Sequence, residues 1–187
     1  PASAIAGFEA KLRANTQHRD AANYGLALGY LKTGKHAEAR KILAALIVKK
    51  PFELAFQHSD IELDIAVEDY KSALLKLDRL LLQNPDNYPL TRLKSEALWQ
   101  AHRYEESGQV LTGLSRKRSQ DPMIWYRLAE VRGLAGNISG VHQARAEYFI
   151  LVGGFDMARE QLTLAAKLVF ADFTRSAIIR QRLRDVV

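Results

Sequence analysis

The chain contains no cysteine among its 187 residues, so disulfides and thiolate-bound metals play no part in its fold or function. Long apolar runs are also missing. The run at positions 44–48 ends at Lys49 and is far shorter than the roughly 18 residues that cross a bilayer. The first residues include neither a methionine nor a signal peptide, which suggests a processed piece whose targeting segment would lie outside the sequence.

Positive charge exceeds negative charge, with a net charge of +6 and a pI near 9.6, and this excess favours acidic partners. Basic and acidic residues nevertheless alternate along most of the chain, as on an ordinary solvated surface. Basic residues are concentrated only at positions 116–118 and in the last helix, at Arg175, Arg180, Arg182 and Arg184. Because no aromatic residues are interleaved with them, we expect no nucleic-acid partner.

A repeat runs through the sequence. Tyr70 and Tyr104 lie 34 positions apart, and His36 and Ile138 hold the same place one period before and after them. A period of about 34 residues is typical of tetratricopeptide repeats, in which helix–turn–helix units stack because none can bury its apolar face alone. The sequence therefore predicts an all-α fold, a right-handed superhelix (an α-α solenoid) of about ten to eleven helices.

Glycine and proline mark the ends of the predicted units. Gly34 and Gly136 suit left-handed helix caps, and Pro51 and Pro85 close two successive units. The helix at 139–152 fits both the second half of one unit and the first half of the next. We predict one domain over 1–187, with units at about 20–51, 54–85, 88–119, 122–152 and 139–168 and a capping helix at 172–186.

Several segments, in their amino-acid sequence and their order along the chain, show a more specific resemblance, which covers nearly the whole chain. They are Tyr24-Gly25-Leu26-Ala27-Leu28, Ala39-Arg40-Lys41-Ile42-Leu43, Asp121-Pro122-Met123-Ile124-Trp125, Ala144-Arg145-Ala146-Glu147-Tyr148 and Gly154-Phe155-Asp156-Met157-Ala158. In these the chain resembles the C-terminal tetratricopeptide domain of periplasmic M48-family zinc metalloproteases, of the type that enhances β-barrel assembly in the outer membrane. The resemblance implies a periplasmic location and a preceding catalytic domain with a HExxH helix.

The chain itself carries no HExxH motif, and its five histidines are never within five positions of one another. No Ser/His/Asp set or phosphate-binding glycine loop is present either. We therefore expect no catalytic, metal-binding or cofactor-binding residue, and a role in protein binding. The resemblance implies that the partners include the upstream protease domain and the outer-membrane assembly machinery. The alternative is a free-standing scaffold for secretion or pilus assembly.

A partner-binding groove is predicted on the first helices of the units. Glu62, Glu96 and Glu130 recur every 34 residues and Glu147 follows 17 later, a column that would attract basic segments. Alternatively, these glutamates pair with groove arginines such as Arg92 and Arg127 and hold the units in register. The predicted groove residues are Tyr24, Leu28, Leu31, His58, Glu62, Ile65, Arg92, Glu96, Trp99, Met123, Tyr126, Glu130 and Glu147.

The two tryptophans are assigned different roles. Trp99 is predicted either to anchor a bound segment or to lie buried between helices. Trp125 occupies the helix-packing position of its unit and is expected in the core.

Overall fold

A computed structural model describes residues 2–14 and 17–186. Within these residues it contains eleven α-helices and no strand, so the predicted all-α solenoid class is confirmed. The helices are α1 Ala2–Arg13, α2 Arg19–Lys32, α3 His36–Lys49, α4 Leu54–Ala66, α5 Tyr70–Gln83, α6 Tyr88–Gln100, α7 Tyr104–Lys117, α8 Pro122–Leu134, α9 Ile138–Leu151, α10 Phe155–Leu168 and α11 Phe173–Asp185. No helix in the described part of the chain has the length and apolarity needed to cross a membrane.

The helices group into two compact units. The first ends at Pro85 and contains α1 to α5, and the second begins at Asp86 and contains α6 to α11. Successive helices pack against each other within each unit, as expected for repeated helical hairpins. The interpretation of the chain as a single domain stays a prediction.

The 34-residue period corresponds to the starts of helices. His36, Tyr70, Tyr104 and Ile138 are the first residues of α3, α5, α7 and α9. Two positions before each of them the backbone adopts a positive φ: 74° at Gly34, 61° at Glu68, 59° at His102 and 75° at Gly136. The same left-handed turn therefore joins the two helices of each of these four hairpins, whether or not the position holds glycine.

We expect Glu68→Gly to raise the free energy of unfolding by about 1 kcal/mol. Glu68 is exposed, and a side chain at positive φ costs about 1–2 kcal/mol, which glycine avoids at the expense of some chain entropy. Urea unfolding would measure the change. The matched control is Glu68→Ala, which removes the carboxylate but keeps a Cβ; if alanine stabilised as much as glycine, backbone strain would not be the cause.

Small and large apolar residues alternate at the helix crossings. Ala39, Ala73 and Ser107 recur every 34 residues and are fully buried, and Ser107 donates a hydrogen bond of 2.8 Å to the carbonyl oxygen of Ser95. One turn further along, Leu43, Leu77 and Leu111 are buried as well. The small residues let neighbouring helices approach closely while the leucines fill the space between them.

Helix α9 packs along both α8 and α10. Its Val141 is buried, and Ala144 belongs to the apolar cluster formed with α7 and α8. Ala146 joins the apolar cluster formed with α10 and α11. The helix ends two residues before a glycine of positive φ, Gly153 (80°), just as α2 and α8 end two residues before theirs. That this helix serves two overlapping repeats stays a prediction.

A charged cluster connects α4 to the two helices beside it. Asp64 is almost fully buried and lies 2.6 Å from both Arg40 Nη1 of α3 and Lys76 Nζ of α5. Asp60, one turn earlier, contacts the same two cations. Two carboxylates and two cations thus connect three consecutive helices of the first unit.

Candidate functional site

A cavity of about 220 Å³ lies among α6, α7 and α8 of the second unit. Four residues of the predicted groove line it: Arg92, Glu96, Trp99 and Met123. Its other lining residues are Tyr88, Ser95, Ser107, Leu111, Leu114, Ile124, Arg127 and Val131. The floor is apolar and belongs to the core of the second unit, whereas the charged residues come from the two helices α6 and α8.

Charged and aromatic side chains contact each other around this cavity. The Arg127 guanidinium lies 5.7 Å from the centre of the Trp99 ring and donates a hydrogen bond of 3.0 Å to Glu130. Glu96 accepts a hydrogen bond of 3.0 Å from the amide of Gln100. These are weak, partly exposed contacts that a ligand could exchange for its own.

Tyr88 is a cavity residue that the sequence reasoning missed. Its hydroxyl donates a hydrogen bond of 3.3 Å to Asp121, and the Arg118 guanidinium lies 4.3 Å from its ring centre. Burial, together with the charge of Asp121, raises the pKa of Tyr88. Helical spacing in the sequence could have predicted this position, because Tyr88 precedes Arg92 by four residues and Trp99 by eleven and so lies on the same face of α6.

The exposed apolar residues of the predicted groove lie on α8. Met123 is 57% exposed at the edge of the cavity, and Tyr126 is 44% exposed with its ring tilted against that of Tyr148 at 5.8 Å. Trp99 itself is half-buried, combining contact with the core and access to the cavity. Trp125 is also half-buried against the core, and its indole N–H donates a hydrogen bond of 2.8 Å to Ser119 O.

The four glutamates of the predicted column differ in their surroundings. Glu130 pairs with Arg127 of the same helix, so this pair does not connect neighbouring units, and the role of the glutamates in holding the units in register stays a prediction. Glu147 is bound by the capping helix instead, through two hydrogen bonds of 2.6 and 2.7 Å from Arg182. Those bonds raise the pKa of Arg182. Glu62 lies 3.5 Å from Nδ1 of His58 on its own helix.

The predicted residues of the first unit are largely occupied with internal packing. Ile65 is only 6% exposed, so its expected place on an open groove wall is wrong and it packs in the interior. The Tyr24 hydroxyl lies 3.0 Å from Ser59 Oγ and donates to the carbonyl oxygen of Ala55. Leu31, like Tyr24, packs against the core cluster that α2, α3 and α4 form, and Leu28 is half-buried.

Among the residues that the structure describes, no three histidine, aspartate or glutamate side chains are arranged to hold a metal ion.

Comparison with known proteins agrees with the repeats seen here. The tetratricopeptide repeat family model matches residues 64–131. A tetratricopeptide repeat protein from Parabacteroides merdae superposes with a TM-score of 0.62 over 96% of this chain and 75% of its own, at 14% identity. A MamA variant superposes with a TM-score of 0.63 over 90% of this chain and 94% of its own, at 13% identity. At such identities these structures bear on the fold alone.

Curated sequences give a more specific similarity. The β-barrel assembly-enhancing proteases of Escherichia coli (strain K12) and Shigella flexneri are each 28% identical to this chain over 159 residues, or 84% of its length. The chain spans about a third (32%) of the length of these relatives. Residues 64–131 of the chain therefore match the tetratricopeptide repeat family, and most of the chain is similar in sequence to part of a β-barrel assembly-enhancing protease.

Proposed function

We propose that the chain is the non-catalytic, partner-binding part of a periplasmic zinc metalloprotease that acts in outer-membrane protein quality control. The sequence similarity to a β-barrel assembly-enhancing protease supports the kind of parent protein. The observation that carries the binding role is the cavity among α6, α7 and α8, whose apolar floor is edged by Trp99, Met123 and Arg127.

The cavity can accept one apolar side chain of a partner. Its volume of about 220 Å³ suits a single large side chain, and its walls would remove that side chain from water. Trp99 would cover the apolar group, and the exposed Met123 would adapt to its shape. The surrounding charges of Glu96, Arg92 and Arg127 would bind polar groups on either side and fix the orientation of the segment.

Site-specific photo-cross-linking tests this function directly. A benzoylphenylalanine placed at Met123, in the parent protein expressed in its native envelope, is expected to cross-link to an outer-membrane β-barrel protein or to a component of its assembly machinery. Met157 is the matched control, since it is the other methionine of the chain, is similarly exposed at 49% and lies on α10 outside the cavity.

Three other outcomes would contradict parts of the proposal. Equal adducts from both positions would remove the cavity as the binding site. Adducts from Met123 with the protease domain alone would assign the cavity to an intramolecular role. Adducts only with secretion or pilus components, with no protease domain in the same coding sequence, would favour the free-standing scaffold.

A further inference from the structure

Arg132 of α8 is a half-buried cation with an unusual set of partners. Its guanidinium donates hydrogen bonds of 3.1 Å to the carbonyl oxygen of Gly140 and 3.3 Å to the hydroxyl of Thr112, so it connects α7, α8 and α9. Among the ion pairs formed by the described residues, none includes Arg132. By contrast, the half-buried cations Arg40, Lys76 and Arg182 each contact a carboxylate.

Holding this charge without a carboxylate is costly. Burial lowers the pKa of Arg132, because removing the guanidinium from water disfavours its charged form. A guanidinium has five N–H donors, and two neutral acceptors leave three of them available. Arg132 therefore carries a half-buried positive charge that no carboxylate among the described residues neutralises, and it has N–H donors available for a ligand.

Two neighbouring cavities of the second unit both reach Arg132 and Asn137. The larger, of about 540 Å³, is also lined by Arg116, Gln109 and Thr112. The smaller, of about 220 Å³, is also lined by Arg175, Ser139 and Gln143. Arg116 and Arg175 are exposed, and the latter is in weak contact with Asp172 at 3.3 Å.

We propose that Arg116, Arg132 and Arg175 form a second docking site, which binds an acidic segment of a protein partner. Charge complementarity favours this occupant, since three arginines line the two neighbouring cavities and a single carboxylate, Glu105, is among their lining residues. The amides of Gln109 and Gln143 can both donate and accept, which suits the backbone of a peptide better than a free oxyanion. Asn137 offers only its NH2 group, because its oxygen accepts a hydrogen bond from the backbone N–H of Gly140. The site goes beyond the proposed function, because it is formed by other residues. It would bind a negatively charged segment, whereas the glutamates of α6 and α8 would attract a positively charged one.

Fluorescence anisotropy with a labelled oligoglutamate peptide tests the site. The double variant Arg116→Gln/Arg175→Gln is expected to weaken binding by at least about tenfold at low salt. The control Arg145→Gln/Lys167→Gln removes the same charge from exposed positions outside both cavities and should change binding by less than about twofold. The test replaces Arg116 and Arg175 rather than Arg132, because Arg132 also connects three helices and its replacement risks unfolding the chain.

Glu105→Gln provides a test of opposite sign. Removing the carboxylate from the lining of the larger cavity should strengthen oligoglutamate binding, which a structural role of the arginines would not predict. Equal losses in the two double variants would overturn the site in favour of general charge attraction. If inorganic phosphate displaced the peptide at a concentration similar to that of the peptide, a peptide would not be the occupant of the site. If the oligoglutamate peptide did not bind at all, the whole proposal would be overturned.

The failure of this proposal can be told apart from failure of the α6–α8 cavity. Trp99→Ala should leave oligoglutamate binding unchanged, and the Arg116/Arg175 double variant should leave cross-linking from Met123 unchanged. Loss of both activities in either variant would contradict the independence of the two sites.

Discussion

Replacing Arg40 and Lys76 together by methionine should lower the free energy of unfolding by about 3–5 kcal/mol. The double variant leaves Asp64, only 1% exposed, inside the first unit without a cation. Asp60 lies one turn away and would add like-charge repulsion to the cost of desolvation. Denaturation by urea, followed by circular dichroism, measures the loss.

A third substitution separates charge from packing. Adding Asp64→Leu to the double variant removes the unpaired carboxylate and should recover most of the lost stability, since an apolar side chain suits an apolar surrounding. Asp64→Leu alone should cost less than the loss of both cations, because Arg40 and Lys76 are each more than a third exposed and can turn to water. If the triple variant were no more stable than the double, lost packing of the long side chains would explain the effect instead.

The same cluster predicts a dependence of stability on alkaline pH. Burial opposes the charge of Lys76, but hydrogen bonds to Asp60 and Asp64 outweigh it and raise the pKa of Lys76. A raised pKa contributes stability that is fully present below the ordinary lysine pKa and is lost as the pH rises through the folded-state pKa. Lys76→Met should therefore flatten the alkaline loss of stability relative to the wild type. A melting series across alkaline pH would contradict this if the two curves kept the same slope.

Most of the fold could be predicted from the 34-residue period of the sequence. Helix starts at His36, Tyr70, Tyr104 and Ile138 could be predicted because the turn before each is a local structure with a fixed length. Even Glu68, which breaks the glycine pattern, occupies the same left-handed turn, since the packing of the helices on either side requires it. Periodicity thus predicts a turn even where the residue itself would not.

The charged cluster could not be predicted in the same way. Its two carboxylates, Asp60 and Asp64, belong to α4. Their partners come from α3 and α5, and a pairing across three helices depends on side-chain directions that a single sequence does not reveal.

The candidate site was predictable in part for a similar reason. Helical spacing placed Arg92, Glu96 and Trp99 on one face of α6, and the structure brings them to one cavity. Helical spacing could not distinguish a surface position from a buried one, as the burial of Ile65 shows. Nor could it show that Glu147 is held by Arg182, which lies 35 positions later in the chain.

Trp99→Ala should weaken binding of the partner captured at Met123 by about 2 kcal/mol or more, or about 30-fold in Kd. Large aromatic side chains that line a partly enclosed cavity dominate binding when they cover a buried apolar group. Isothermal titration with the purified partner segment would measure the change. Trp99→Phe should recover part of the affinity, because it restores an apolar ring to the cavity.

Trp125→Ala is the matched variant, since both tryptophans are half-buried against the same core cluster. Trp125 does not line the cavity, and its indole donates to Ser119 O, so its loss should lower stability by about 3–5 kcal/mol. At a temperature where this variant remains folded, its affinity for the partner should stay close to that of the wild type. Because the two substitutions remove the same side chain from the same core, a difference in affinity between them isolates the contact that Trp99 makes through the cavity. Equal losses of stability with unchanged affinity would assign Trp99, like Trp125, to the core.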